Sequence, residues 1–352
     1  MKILAIDMGW SKSVSCFLDS ASGEVAYEAI VTGKASFARR IEQARYDLVV
    51  IEAGPMAGWV KDLCAQRDQK LLVLNTNDEP WQWRKVKKKT DRQDAYKLCR
   101  LAMMGVGSSV HVPGRQVRQW RQLIFYRDTL ISEMTAIKNR LRALLLQEDL
   151  RLASGKKAWS GEDYQQLAAM GRELIECSGE ELWRGMVKLE LERLEQLMQQ
   201  AQTVESKLNA LAKQDQRVQR LQQAPGIGAR TAELVVAMID DPTRFGRGRE
   251  VASYGGFTPK KFQSGRTDRD GRISRAGNGL LRKYLVQAAW SGKRKCRQMQ
   301  AIYQRVKNNS PRRSKQAIVA VARHLLVWLW AMLRDQTDWR QQPQAADGMV
   351  MT

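Results

Sequence analysis

Histidine and cysteine are scarce in this chain, with two His and five Cys among 352 residues. His111 and His324 are too few for a zinc site built on imidazoles. Cys16, Cys64, Cys99, Cys177 and Cys296 form no CxxC pair and are odd in number. That excludes a disulfide framework and predicts reduced thiols acting as small buried hydrophobes. No basic segment followed by an apolar one opens the chain, so no secretory leader is expected. Long apolar runs are missing too. The most apolar stretch, 317–333, carries Arg323 and His324 and is short for a membrane span. A buried helix is expected there, and no membrane partner. Acids are outnumbered, 37 against 59 Lys and Arg, for a net charge of +22. Such a balance suits a polyanionic partner, because each cation that meets a phosphate releases a condensed counterion. Ribosomal and chromatin proteins share it, so charge indicates nucleic acid and no more.

Hydrophobic residues make up 43% of the chain, enough for one large core or two ordinary domains. Runs at 2–7, 14–19 and 25–31 predict three hairpin-type strands. Helices are expected at 35–44 and 56–67, and further buried strands at 47–53 and 70–75. The pattern is α/β, a mixed sheet covered by helices. A basic run with two tryptophans follows: Trp81, Trp83, Arg84, Lys85, Lys87, Lys88 and Lys89. Residues 90–105 then read as a helix stopped by Gly105 and Gly107. Beyond 115 the apolar residues keep a three-four spacing, first through Leu123, Leu130, Met134, Ile137, Leu141 and Leu144. A second such series runs through Val187, Leu191, Leu194, Met198, Ala201 and Leu208. These predict two long coiled-coil arms, paired within the chain or between subunits. Residues 244–283 are rich in Arg, Lys and Gly. Helices at 279–307 and 311–335 close the fold, and a polar tail, 336–352, is expected to be disordered.

Asp7 and Glu52 each end an apolar strand, where a carboxylate can reach solvent and ligand. Asp91 and Asp94 lie three apart on a helix and share a face. Four converging carboxylates could hold two Mg²⁺ ions, which prefer hard oxygen donors and keep positions open for phosphate oxygens. Two such ions about 4 Å apart serve phosphoryl transfer. Taken singly, an acid after a strand is a turn or cap residue, and a helical acid pair is a solvated face. Their setting beside the basic stretch KKKTDRQDA favours a site that attracts nucleic acid and binds metal.

The segments IDMGWSKSVSCFLD, VVIEAG and KKKTDRQDAYKLCRL resemble the N-terminal domain of DEDD-type insertion-sequence transposases, the IS one-ten family. The resemblance implies a RuvC-like, ribonuclease-H-like domain over 1–112 whose metal-binding acids match Asp7, Glu52, Asp91 and Asp94. It implies magnesium as cofactor, two ions, with manganese able to substitute. The stretch 249–290 looks like the C-terminal transposase domain of the same family through Ala252, Gly255 or Gly256, Thr258, Pro259, Ser264, Gly265, Ser274, Arg275, Ala276, Gly277, Leu281 and Arg282. By that likeness the nucleophile is Ser264, with Ser274 its nearest rival, and the product of attack is a covalent phosphoserine link to DNA. Lys260, Lys261, Arg266, Arg269 and Arg275 could neutralise the phosphate. Preceding them, APGIGARTAELV resembles a helix–hairpin–helix, in which Gly226 and Gly228 would expose amides to a phosphate.

The expected organisation is the catalytic domain at 1–112, helical arms at 113–215, a mostly helical transposase domain at 216–335 and the tail. Donor and target DNA are the expected partners. The resemblance adds a structured guide RNA, for which the basic run with Trp81 and Trp83 could supply backbone contacts and stacking. It also implies a homo-oligomer, at least a dimer and a tetramer when active, in the bacterial cytoplasm at the nucleoid. Three other readings compete. A RuvC-like hydrolytic nuclease would use the same acids without Ser264. An actin-like ATPase or sugar kinase is suggested by ILAIDMGWSKS, but a second phosphate loop is not found. A non-catalytic nucleic-acid-binding protein would not need the four acids.

Overall fold

The computed structural model describes residues 1–75, 90–264 and 267–340. The chain divides into two compact units, 1–119 and 120 onward.

In the first unit the strands are β1 (Lys2–Asp7), β2 (Lys12–Asp19), β3 (Val25–Val31), β4 (Leu48–Glu52) and β5 (Leu71–Leu74). The helices are α1 (Lys34–Glu42), α2 (Ala57–Ala65) and α3 (Asp91–Met103). The sheet order is β3-β2-β1-β4-β5. β3, β2 and β1 pair antiparallel, whereas β4 joins β1 in parallel and β5 joins β4 in parallel. This is the mixed sheet that the sequence pattern predicts.

Both faces of the sheet are covered, which is why β4 reads as the continuous run LVVIE. Leu4, Ile6, Val49 and Ile51 pack on Phe37 and Ile41 of α1 and on Val60 and Leu63 of α2. Ile3, Ala5 and Val50 pack the other way, on Ala95, Leu98 and Cys99 of α3. Each fully buried Ile or Leu contributes roughly 1.5–3 kcal/mol. Thr90 caps α3 by accepting from the Gln93 backbone N–H at 3.3 Å. Asp91 and Asp94 stand in its first turn, where negative charge complements the helix dipole.

The cysteines behave as expected, Cys16, Cys64, Cys99 and Cys296 being buried and Cys177 half-buried. Burial pushes the Cys64 thiol up to about 11, so it stays protonated and inert. The Cys99 thiol donates to the Cys16 carbonyl at 3.4 Å, tying α3 to β2.

The second unit holds most of α4 (Arg115–Gln147), then α5 (Gly161–Met170), α6 (Leu182–Gln214), α7 (Gln216–Gln222), α8 (Ala229–Ile239) and α9 (Gly248–Tyr254). The strands β6 (Pro259–Ser264) and β7 (Thr267–Ile273) follow, then α10 (Gly279–Gly292), α11 (Arg297–Lys307) and α12 (Ser314–Arg334). The two arms pair with each other inside the chain. Arg127 to Glu205 at 2.6 Å and Arg140 to Glu190 at 2.7 Å link α4 and α6, and the opposed order of the partners makes them antiparallel. The buried faces differ by a residue in places from the predicted ones. Ile124, Leu145 and Leu197 are core, whereas Leu123 and Leu144 are half-buried and Met198 is exposed. A straight helix drifts from a fixed seven-residue repeat, so a stripe read by spacing slides off the contact face.

α8 is buried along its whole length from Thr231 to Ile239 and forms the centre of this unit. α12 matches the predicted buried helix. It is the one segment of the described residues long and apolar enough to cross a membrane, and Ile318, Val321, Leu325 and Leu329 lie in the core. Within the domain expected to be mostly helical, Pro259–Ser264 and Thr267–Ile273 form an antiparallel hairpin. Every residue of β6 is exposed, so no apolar alternation announced a strand. The first residues of the stretch expected as a tail, 336–340, are described and make contacts. The Trp339 backbone N–H donates to Gln223 Oε1 at 3.2 Å, and its ring meets Trp328 edge-on at 5.7 Å. This aromatic contact lies at the start of the stretch that composition alone marks as disordered.

Candidate functional site

The parallel register of β1 and β4 decides where the first two acids stand. Ile6 pairs with Ile51, the last pair before Asp7 and Glu52 end their strands. Both acids therefore occupy the same edge of the sheet on neighbouring strands. Alternation sets their side. Ile3 and Ala5 of β1 and Val50 of β4 face α3, so Asp7 and Glu52, each two residues further on, belong to that face. α3 covers it and carries Asp91 and Asp94 in its first turn. Asp7, Glu52 and Asp94 are half-buried, and Asp91 is exposed. Among the described residues, no group of three or more His, Cys, Asp or Glu side chains is close enough to hold a metal ion. The donor chemistry still fits a hard divalent cation, being carboxylates without histidine or thiolate at a partly open edge.

The turn after Asp7 is fixed. Gly9 admits no side chain, because a Cβ would overlap the Lys12 carbonyl. The Gly9 carbonyl accepts from the Thr32 hydroxyl at 2.8 Å, which in turn shares a hydrogen bond with Ser13 at 2.7 Å. Trp10 at the crest is 96% exposed. No motif singled it out, although a tryptophan three residues after a candidate metal ligand and next to a turn glycine was a visible signal.

Ser264 is the last residue of β6 and pairs with Thr267 at the end of the hairpin. It is exposed, as are Lys260, Lys261 and Arg269. Phe262 is half exposed beneath the Arg269 guanidinium, 5.6 Å from ring centroid to charge. Gly265 and Arg266 lie outside the described residues, as do Trp81, Trp83, Arg84, Lys85, Lys87, Lys88 and Lys89. Ser274, the rival nucleophile, sits at the other end of the hairpin. Its backbone N–H donates to the Thr258 carbonyl at 2.7 Å, and its hydroxyl accepts from the Ala276 N–H at 3.5 Å.

Arg275 is exposed with a left-handed φ of 56°. Beside it, the glycines of the motif clamp the hairpin base. A Cβ on Gly277 would overlap the Tyr254 carbonyl, and Gly256, at φ 70°, lies against the Gly277 amide. Arg282 locks the pair by donating to the Gly277 carbonyl at 2.6 Å and the Gly255 carbonyl at 3.3 Å. Gly226 likewise has a packing reason. Its Cα faces the α10 backbone, 2.6 Å from a built Cβ to the Gly292 nitrogen. Gly228 is exposed with open space around it.

Comparison with known proteins follows the same two segments. A family model described as Transposase matches residues 4–148, and one described as Transposase IS116/IS110/IS902 family matches residues 218–304. The chain is 28% identical over 363 residues to a transposase for insertion sequence element IS1111A of Coxiella burnetii, covering 97% of this chain and 92% of that protein. It is 26% identical over 366 residues to a putative transposase, y4pF/y4sB, of Sinorhizobium fredii, covering 100% and 88%. It is 28% identical over 260 residues to a probable family 20 transposase of Pseudomonas aeruginosa, covering 72% and 74%.

Proposed function

The chain belongs to the IS110 family of insertion-sequence transposases, and from that premise we propose that it cuts and rejoins DNA with Asp7, Glu52, Asp91 and Asp94 as metal ligands and Ser264 as nucleophile. The observation that carries the metal assignment is the β1–β4 register, which sets Asp7 and Glu52 side by side under α3. The sheet order supports a ribonuclease-H-like, RuvC-like domain over 1–112, followed by helical arms to 215 and the transposase domain to 335. The cofactor is a pair of Mg²⁺ ions, replaceable by Mn²⁺. When bound, such a pair stabilises the attacking and leaving oxygens of phosphoryl transfer.

The protein's own groups then divide the work. The Ser264 hydroxyl attacks the DNA phosphorus, the bond from phosphorus to the leaving deoxyribose oxygen breaks, and the serine proton ends on that oxygen. The phosphoserine ester conserves the phosphodiester energy, so the reverse attack by a DNA hydroxyl rejoins strands without ATP. Lys260, Lys261, Arg266, Arg269 and Arg275 offset the phosphate charge. A guide RNA bound by the basic run 81–89 would choose the sites, and a dimer or tetramer would hold the DNA ends.

The test is a denaturing gel of the full chain with labelled donor DNA and Mg²⁺. Wild type is expected to carry label covalently and Ser264→Ala to carry none while still binding DNA. Cleavage without an adduct in both proteins would favour the RuvC-like hydrolytic nuclease. An adduct in the Ser264→Ala protein would move the nucleophile to Ser274.

A further inference from the structure

From Gly271 to Arg334 the chain has fifteen Lys or Arg and no Asp or Glu. Two turns carry much of that charge outward. The α10–α11 turn exposes Arg294 and Lys295, and Arg297 continues it on the first turn of α11. The α11–α12 turn exposes Arg312 and Arg313, and Lys315 follows at the start of α12. The fold brings the two turns together around one buried side chain, Tyr303. Lys293 from the end of α10 lies 3.7 Å from the Tyr303 ring centroid and 4.3 Å from that of Trp290. Ser314 at the start of α12 hydrogen-bonds the Tyr303 hydroxyl.

Nothing nearby neutralises this surface. Among the described residues, none of the six exposed cations just named forms an ion pair, and neither does the exposed Arg305. The local field registers on two neighbours. The Ser314 hydrogen bond, Lys293 and Lys307 hold the Tyr303 phenol below its ordinary value. Burial, then Arg323 and Arg305, hold His324 below its own.

We propose that the α10–α11 and α11–α12 turns form a clamp for the backbone of duplex DNA. The aromatic rings choose between paired and unpaired nucleic acid. Lys293 lies over a face of the partly exposed Trp290, and Tyr303 is buried, so the site offers little free aromatic face to an unpaired base. What the surface offers is charge at the ends of flexible side chains, which reads phosphates and not bases. The choice of DNA as the source of those phosphates rests on the transposase reading.

The test uses the full chain carrying Arg294→Gln, Lys295→Gln, Arg312→Gln and Arg313→Gln, with binding to a duplex of arbitrary sequence followed by fluorescence anisotropy across salt. Each lost phosphate contact removes about 0.9 from the slope of log affinity against log salt. The variant is expected to lose about 3.6 from that slope and at least about 30-fold in affinity at low salt. Single-stranded DNA of equal length should lose less than the duplex, because each contact there removes only about 0.7 from the slope. Replacing the three arginines with lysine should restore duplex DNA binding, which separates lost charge from lost folding. An unchanged duplex slope, or a loss on single-stranded DNA as large as that on the duplex, overturns the clamp. A wild-type chain that binds no duplex DNA overturns the transposase reading with it.

A separate observation in the first unit carries a second inference. The turn that presents Trp10 is pinned by Gly9, Thr32 and Ser13, so its indole is held out in water by rigid backbone. We infer that Trp10 stacks on an unpaired nucleobase beside the phosphate served by Asp7, a positioning role that rests on the metal-site reading. Base–aromatic stacking is worth about 1–3 kcal/mol, or roughly 5- to 150-fold in affinity. Trp10→Ala should lose that affinity for a gapped duplex and abolish quenching of 2-aminopurine in the gap, and Trp10→Tyr should recover most of both. Quenching that persists in Trp10→Ala overturns the inference. Asp7→Asn should keep the quench, so a failed metal site and a failed stacking site give different results.

Discussion

The two candidate halves of the chemistry are built in opposite ways. Asp7 and Glu52 end strands whose preceding residues are buried on both faces, so their backbone positions are set by a core that fills every gap around it. Ser264 ends a two-stranded hairpin exposed along the whole of β6. A lone hairpin is marginal in water, and this one depends on its base, where Gly256, Gly277 and Arg282 interlock. The contrast teaches where substitutions should act. In the sheet unit a change at a candidate acid is expected to alter chemistry and spare the fold. In the hairpin, changes at the base should matter as much as changes at the tip.

The largest expected effect sharpens the first half of that statement. Asp7→Asn is expected to reduce Mg²⁺-dependent cleavage by at least about 10³-fold, equivalent to about 4 kcal/mol of barrier, with thermal unfolding nearly unchanged. Cleavage within tenfold of wild type would remove Asp7 from the site.

Gly277→Ala addresses the second half. The added methyl meets the Tyr254 carbonyl, so the hairpin base must shift, at a cost of about 3 kcal/mol. Adduct yield should fall together with the unfolding midpoint, although residue 277 carries no reactive group. A variant with normal yield would break the claim that the base positions the tip.

A smaller effect concerns the core of the second unit. Glu233 on α8 is 1% exposed, and burial raises its carboxyl to about 7, only partly opposed by Arg230 and Arg127. Arg230 approaches to 2.9 Å without a hydrogen bond. Because the folded value lies above the ordinary 4.5, the unfolded chain ionises first. The associated stability is complete below about pH 4.5 and is lost as pH rises through about 7. Wild-type melting should therefore drop between pH 5 and pH 8 by more than that of Glu233→Gln. Parallel pH profiles would show that Glu233 titrates normally.

Least of all should Ser274→Ala matter. Its hydroxyl makes one long contact to the Ala276 amide, worth about 0.5–1 kcal/mol. Adduct yield should stay within about twofold, and its loss would reverse the roles of the two serines.

Much of the first unit was legible because its signals are local. Apolar runs ended by acids marked β1 and β4, and Thr90 before a helical pattern marked the start of α3. The hairpin was not legible. PKKFQS has no buried face to impose a period of two, and its partner strand is chosen by the clamp at its base. Gly226 suggested an amide turned toward phosphate, yet close approach to α10, far away in sequence, gives the glycine its reason.

The sequence by itself determined the order of strands and helices in the first unit, the positions of the acids at strand ends and the excess of positive charge, since propensity, capping and composition act over a few residues. Tertiary structure alone decided the rest. The register of β1 on β4 put Asp7 and Glu52 on the same face, and α3 closed over it. Tyr303 gathered two basic turns that nothing in their spacing would pair. These depend on contacts between segments distant in the chain, where packing and steric exclusion select one arrangement among many that the local pattern allows.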